Sequence, residues 1–140
     1  MDRLKSFKFA ACAAVAAVLF PAAAGAQTYP AGPVRMVVPY PPGGAASLVA
    51  HTLAEKLKES LGQPFIVEHR GGAAANTGTD FVAKSAPDGQ TLLVGTNGPL
   101  VINSSLMGKL PFDPLKDFAP ISFLAEIPLS MAIRAGIPAN

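Results

Sequence analysis

The 140-residue chain is half hydrophobic, 14% charged, and carries a formal net charge of +2. Arg3, Lys5 and Lys8 supply that excess, and from Gln27 onward basic and acidic side chains balance. This balance excludes the basic stripe that nucleic-acid-binding proteins use, so no nucleic-acid partner is expected.

The first 26 residues read as a secretory signal. A positive start leads into an apolar run from Phe9 to Phe20, which Pro21 ends. Ala24-Gly25-Ala26 then provides the small-x-small pattern of a cleavage site. The run falls short of the ~20 residues that span a bilayer. Cys12 lies inside it, so the chain from Gln27 onward has no cysteine and must rely on its core rather than on disulfides.

Val34-Arg35-Met36-Val37-Val38 reads as a strand closed by Pro39. Tyr40 to Gly44 is a run of turn formers. A helix is expected from about Ala46 or Ser47 to Leu61, because Val49, Leu53, Leu57 and Leu61 recur at helical spacing. Ser47 is placed as its N-cap and Gly62 as its stop. Phe65 to Glu68 is a second strand. A loop of small residues, Gly71 to Ala75, follows, with Asn76 as the cap of a short helix through Lys84 whose Phe81 and Val82 face inward. Pro87-Asp88-Gly89 is a turn. Thr91 to Val94 is a third strand, and a helical turn from Pro99 to about Met107 comes after it. Leu110 to Pro114 is extended. Phe118 to Leu124 and Leu129 to Arg134 read as two more strand-like runs split by Pro128. The alternation implies an α/β fold with a parallel sheet and flanking helices.

In an open parallel sheet, ligands bind beyond the carboxyl ends of the strands. Three loops fall on that edge: Tyr40 to Ser47, Gly72 to Thr77, and Gly95 to Gly98. Their small residues allow close backbone approach, and each leads into a helix whose first N–H groups suit an anion. The candidate ligand-binding residues are Tyr40, Pro42, Gly43, Gly44, Ala45, Ser47, Ala75, Asn76, Thr77, Gly95, Thr96 and Asn97. No lysine or arginine lies in these loops, although Arg70 flanks the second. Recognition would therefore use uncharged donors and bridging water.

Enzyme readings lack their residues. G-x-G-x-x-G, G-K-[ST] and G-x-S-x-G are all absent. His51 and His69 have no carboxylate at informative spacing and read as ordinary structural or surface residues. No cluster of ligating side chains suggests a metal, and no cofactor is expected.

The ordered set of segments resembles the substrate-binding proteins of tripartite tricarboxylate transporters, the Bug family. It runs through Val37-Val38-Pro39-Tyr40-Pro41-Pro42-Gly43-Gly44 and Leu61 to Arg70, then Ala86 to Thr96 and Leu110 to Pro120. The resemblance implies a type II periplasmic-binding-protein-like fold. It also implies a small carboxylate ligand, contacted by backbone groups and water at Tyr40 to Ser47, and delivery to membrane permease subunits. Presentation to a membrane sensor is the alternative, with an enzyme whose catalytic groups lie further along the chain a remoter one. By the same resemblance residues 27–128 are a partial first lobe, incomplete, and 129–140 begin the crossover toward a missing second lobe. The full-length protein is expected to be monomeric. A lone lobe is expected to bind weakly and to expose apolar surface. Two departures stand out. Ser47 occupies a position where family members often carry an acid, and Ala74-Ala75 replace a Gly-Gly. Loss of the acid points away from amino-bearing ligands and toward di- and tricarboxylates.

Overall fold

The computed structural model describes residues 29–128 together with 130, 132 and 134. The expected signal segment, with the residues after it as far as Thr28, therefore lies outside the described residues, as do alternate positions of the run from Leu129 to Arg134 and all of the chain's last six positions.

Three parallel strands form one sheet in the order β2-β1-β3. They are β1 (Val34–Val38), β2 (Phe65–His69) and β3 (Thr91–Leu93). The register runs from Val34 opposite Phe65 to Val38 opposite His69, with Arg35, Met36 and Val37 opposite Thr91, Leu92 and Leu93. The central strand β1 is apolar at four of its five positions because both of its faces are covered, the usual state of a parallel strand. Val34, Met36 and Val38 point to one face and pack with Ala50, Ala54, Phe65 and Val94. Val37, also fully buried, points to the other.

Helix α1 (Ala45–Leu61) covers the first face. It ends as expected. Gly62 adopts a left-handed conformation, φ 70°, and its N–H caps the carbonyl of Lys58. Its start departs from expectation. The N-cap is Gly44, with no side-chain capping bond, and Ser47 lies one turn inside the helix. The buried stripe is also rotated from the leucine repeat. Ser47, Ala50 and Ala54 face the sheet, Leu53 and Leu57 flank them half-buried, and Leu61 is exposed. Small residues at the centre let the helix axis approach the sheet, and the leucines close the rim.

Helix α2 (Asn76–Ala83) lies against the other face and is not capped by Asn76, since Ala75 holds the N-cap position. Gly78 and Thr79 are its buried residues beside Asn76, while Phe81 and Val82 are only half-buried. The Phe81 ring lies under two guanidinium groups, those of Arg35 at 5.6 Å and Arg70 at 3.6 Å. Both arginines pair with Glu68. These groups are partly exposed, so each pair contributes at most about 1 kcal/mol. Gly89 takes the expected positive φ of 79°, and the Asp88 carboxylate accepts the N–H of Gln90.

Beyond β3 the chain makes a wide helical turn, Gly98–Ile102, and a single turn of helix, α3 (Asn103–Leu106). Phe112 then tucks in, edge-on to Phe118. Residues 113–117 form a tight turn in which the Lys116 ammonium and the Leu115 N–H hold the Asp113 carboxyl below the usual carboxylate range.

The strand expected from Phe118 to Leu124 does not form. Ile121 and Phe123 are 80% and 82% exposed. An extended segment becomes a strand only when a neighbour accepts its backbone bonds, and none lies beside it among the described residues. Among those residues no helix is long and apolar enough to cross a membrane.

Candidate functional site

The parallel topology brings the carboxyl ends of β2, β1 and β3 to one edge, and long-range bonds tie the three following loops together. The Tyr40 hydroxyl and the Thr96 hydroxyl bond at 2.7 Å, joining the loop after β1 to the loop after β3. The Tyr40 carbonyl lies 3.0 Å from His69 Nδ1, and His69 Nε2 lies 3.3 Å from Ser47 Oγ. A carbonyl only accepts, so Nδ1 carries the proton. In the neutral ring Nε2 is then the acceptor, and the Ser47 hydroxyl donates to it. The His51 ring lies 5.9 Å from that of His69. Thus Thr96, Tyr40, His69 and Ser47 form one network from β3 across the edge to α1.

Glycine shapes the loop after β1 and its contact with the loop after β2. Gly43 has φ 96°, which turns the chain from Pro42 into α1. Gly71 presses on Pro41, and a Cβ there would stand 3.3 Å from its Cδ. The loops after β1 and β2 therefore touch through backbone and proline ring.

The twelve candidate residues divide by accessibility. Pro42, Gly43, Gly44, Ala45, Thr77, Gly95 and Asn97 are exposed, and Tyr40 and Thr96 are half-buried. Ser47, Ala75 and Asn76 are buried. The Asn76 amide is turned inward: its Oδ1 accepts from Asn103 and its Nδ2 donates to Met107 Sδ at 3.2 Å. These three residues frame the edge, while the exposed group offers backbone to it. At the start of α1 no side chain caps the helix and the first turn holds no acid. The amides of Ala45, Ala46 and Ser47 thus begin a 17-residue helix with its positive dipole end unopposed. Arg70 adds little charge here, being engaged by Glu68 and Phe81. Among the described residues no group of ligating side chains could hold a metal ion.

The segment before α2 is the unusual one. Ala73, Ala74 and Ala75 have φ of 46°, 53° and 75°. Each left-handed non-glycine residue costs about 1–2 kcal/mol. Glycine would relieve this but adds about 0.4–1 kcal/mol of unfolded-chain entropy. We expect Ala73→Gly and Ala74→Gly, both at exposed positions, each to stabilise the fold by about 0.5–1 kcal/mol. Ala75→Gly should be close to neutral, because the Ala75 methyl is buried and its loss offsets the gain. Urea denaturation of the three variants checks the ranking.

Residues 49–140 match the tripartite tricarboxylate transporter family receptor. Protein BugT of Bordetella pertussis is 48% identical over 105 residues, which are 74% of this chain and 32% of BugT. MatC of Rhodopseudomonas palustris, solved with bound malate, superposes with TM-score 0.66 at 38% identity, over 69% of this chain and 33% of MatC. A second R. palustris protein, solved with adipate, gives TM-score 0.60 at 33% identity, over 62% of this chain and 29% of that one. The chain thus spans about a third of the length of the relatives it matches. Its sheet and helices are those of a periplasmic-binding-protein fold. The matched residues and the shared fold together place this chain in the tripartite tricarboxylate transporter receptor family.

Proposed function

We propose that this chain supplies the carboxylate-holding loops of a periplasmic solute receptor that captures a small di- or tricarboxylic acid for membrane permease subunits. The receptor performs no chemistry on its ligand and acts as a monomer after export and removal of residues 1–26. The observation that carries this reading is the uncapped, acid-free start of α1 at the strand edge where three tied loops converge. Aligned N–H groups and the helix dipole favour an anion there, with the mutually bonded hydroxyls of Tyr40 and Thr96 in the loops of the same edge. Exposed neutral donors select a carboxylate without the desolvation penalty of a buried lysine or arginine. Relatives solved with malate and with adipate support the ligand class.

Calorimetry on the whole gene product, with malate, adipate, citrate and aspartate as titrants, tests it. Binding of the first three in preference to aspartate is expected, and preferential aspartate binding would count against it. Gly44 locates the site. Its φ of −84° suits any residue and nothing crowds a Cβ there. Gly44→Asp should cap α1 and stabilise the fold by about 0.5 kcal/mol. It should also weaken carboxylate binding about tenfold or more, because its own carboxylate takes the ligand's place. Gly44→Ser, which caps without charge, should weaken binding less. Unchanged affinity in Gly44→Asp would move the site away from this helix.

A further inference from the structure

We propose that Asn103 is a positioning residue that clamps the left-handed loop Ala73–Ala75 and so makes the loops after β2 and β3 present their donors as one rigid unit. This deepens, and rests on, the carboxylate-receptor reading.

Three consecutive left-handed alanines are a strained arrangement, and such strain persists only where the surroundings hold it. Asn103 is 5% exposed and opens α3, on the far side of the loop after β3. Its side-chain amide has two N–H donors. One goes to the carbonyl of Ala74 at 2.9 Å and the other to Asn76 Oδ1 at 2.8 Å. Both donors are therefore spent on the other loop, one on its strained backbone and one on the first residue of α2. Asn76 passes the connection back through its Nδ2 to Met107, just past the end of α3. The Thr79 hydroxyl also bonds the carbonyl of Ala75, but from within α2 itself. Among the described residues, Asn103 is the one side chain from another element that bonds this loop's backbone.

The consequence is directional. Peptide planes 73–77 take their orientation from the left-handed φ values, which fold the loop back on itself so that the Asn76 N–H donates to the Ala73 carbonyl and the Thr77 N–H to the Gly72 carbonyl at 3.3 Å. Without the clamp, the alanines would relax toward their ordinary basins and the amides would turn. A ligand would then have to restore the strained geometry on binding.

Asn103→Leu, which keeps bulk, and Asn103→Ala, which removes it, are compared with wild type in the whole gene product. Amide hydrogen exchange at Ala74 to Thr77 should speed by about tenfold while β1 amides keep their protection. Malate affinity should fall by about tenfold. The same Asn103→Ala change in an Ala74→Gly background should lose distinctly less affinity, since glycine takes the left-handed basin without strain and neighbouring sites couple. Asn103→Ser, with one short donor and a smaller void than alanine leaves, gives an intermediate exchange rate and serves if the other variants do not fold. Unchanged exchange at Ala74 to Thr77 overturns the clamp. So does an affinity loss of equal size in both backgrounds, which marks a merely structural residue. If wild type binds no dicarboxylate, the receptor reading fails, yet the exchange rates still decide whether Asn103 holds the loop.

Discussion

Gly78→Ala should lower the melting temperature by roughly 8–16 °C, although alanine is the better helix former. Gly78 is buried on the face of α2 that meets the sheet. A Cβ there would lie 2.5 Å from the carbonyl oxygen of Arg70 and 3.0 Å from both Cα and Cβ of Pro39. Two of these three atoms are backbone, so no rotamer change relieves the overlap. Overpacking costs about 1–3 kcal/mol, and the upper end applies where backbone must move. The helix-propensity gain of alanine over glycine returns about 1 kcal/mol. The overlap wins by about 2 kcal/mol, and a domain near 100 residues loses about 4–8 °C per kcal/mol. Pro39 and Arg70 open the first and second loops, so the displaced helix would also separate the two segments that Gly71 and Pro41 hold together. Thermal unfolding followed by circular dichroism measures the shift. A variant melting at or above wild type would show that α2 is not seated on these two residues.

Much of the fold was legible because its signals are local. β1 has the bounds that its β-branched run and Pro39 predict, and Gly62 and Gly89 take the left-handed conformations expected of them. β2 gains His69 because Val38 continues the ladder opposite it. β3 ends at Leu93, with Val94 donating a last bond to the Val37 carbonyl. Two errors share a physical origin. The leucine repeat of α1 marks apolar bulk, whereas the distance between helix and sheet decides which residues sit at the contact, and there Ala50 and Ala54 fit. Phe118 to Leu124 has strand composition, but strand formation depends on a partner that no local window contains.

The candidate edge was legible as loops and illegible as bonds. Glycine, proline and small polar residues after each strand announce turns, and parallel topology puts those turns together. What each side chain does there is set by contacts far away in sequence. Ser47 reads as a cap until His69, 22 positions on, takes its hydroxyl. Asn76 reads as a ligand contact until Asn103, 27 positions on, takes its amide oxygen. His69 has no motif, yet its two ring nitrogens join the Tyr40 backbone to α1. The left-handed alanines carry no signal of their own, because alanine ordinarily avoids positive φ; the one hint is the Gly-Gly that Ala74 and Ala75 replace.

Met36→Ala should destabilise the fold by about 3 kcal/mol, near the middle of the range for emptying a buried long side chain. Met36 is 1% exposed at the centre of the central strand, packed with Val34, Val38 and Phe65 from the sheet and Ala50 and Ala54 from α1. Alanine would leave a void between two rigid layers, and the flanking strands prevent collapse of the sheet around it. Met36→Leu nearly conserves volume and should cost less than about 1.5 kcal/mol. The pair separates stability from recognition, because Met36 lies mid-strand on the α1 face and away from the carboxyl edge. In the whole gene product, at a temperature where both variants are folded, malate affinity should stay within about twofold of wild type. A large affinity loss in Met36→Ala, with the Gly44 variants silent, would place the binding surface against the core face of the sheet instead of at the strand ends.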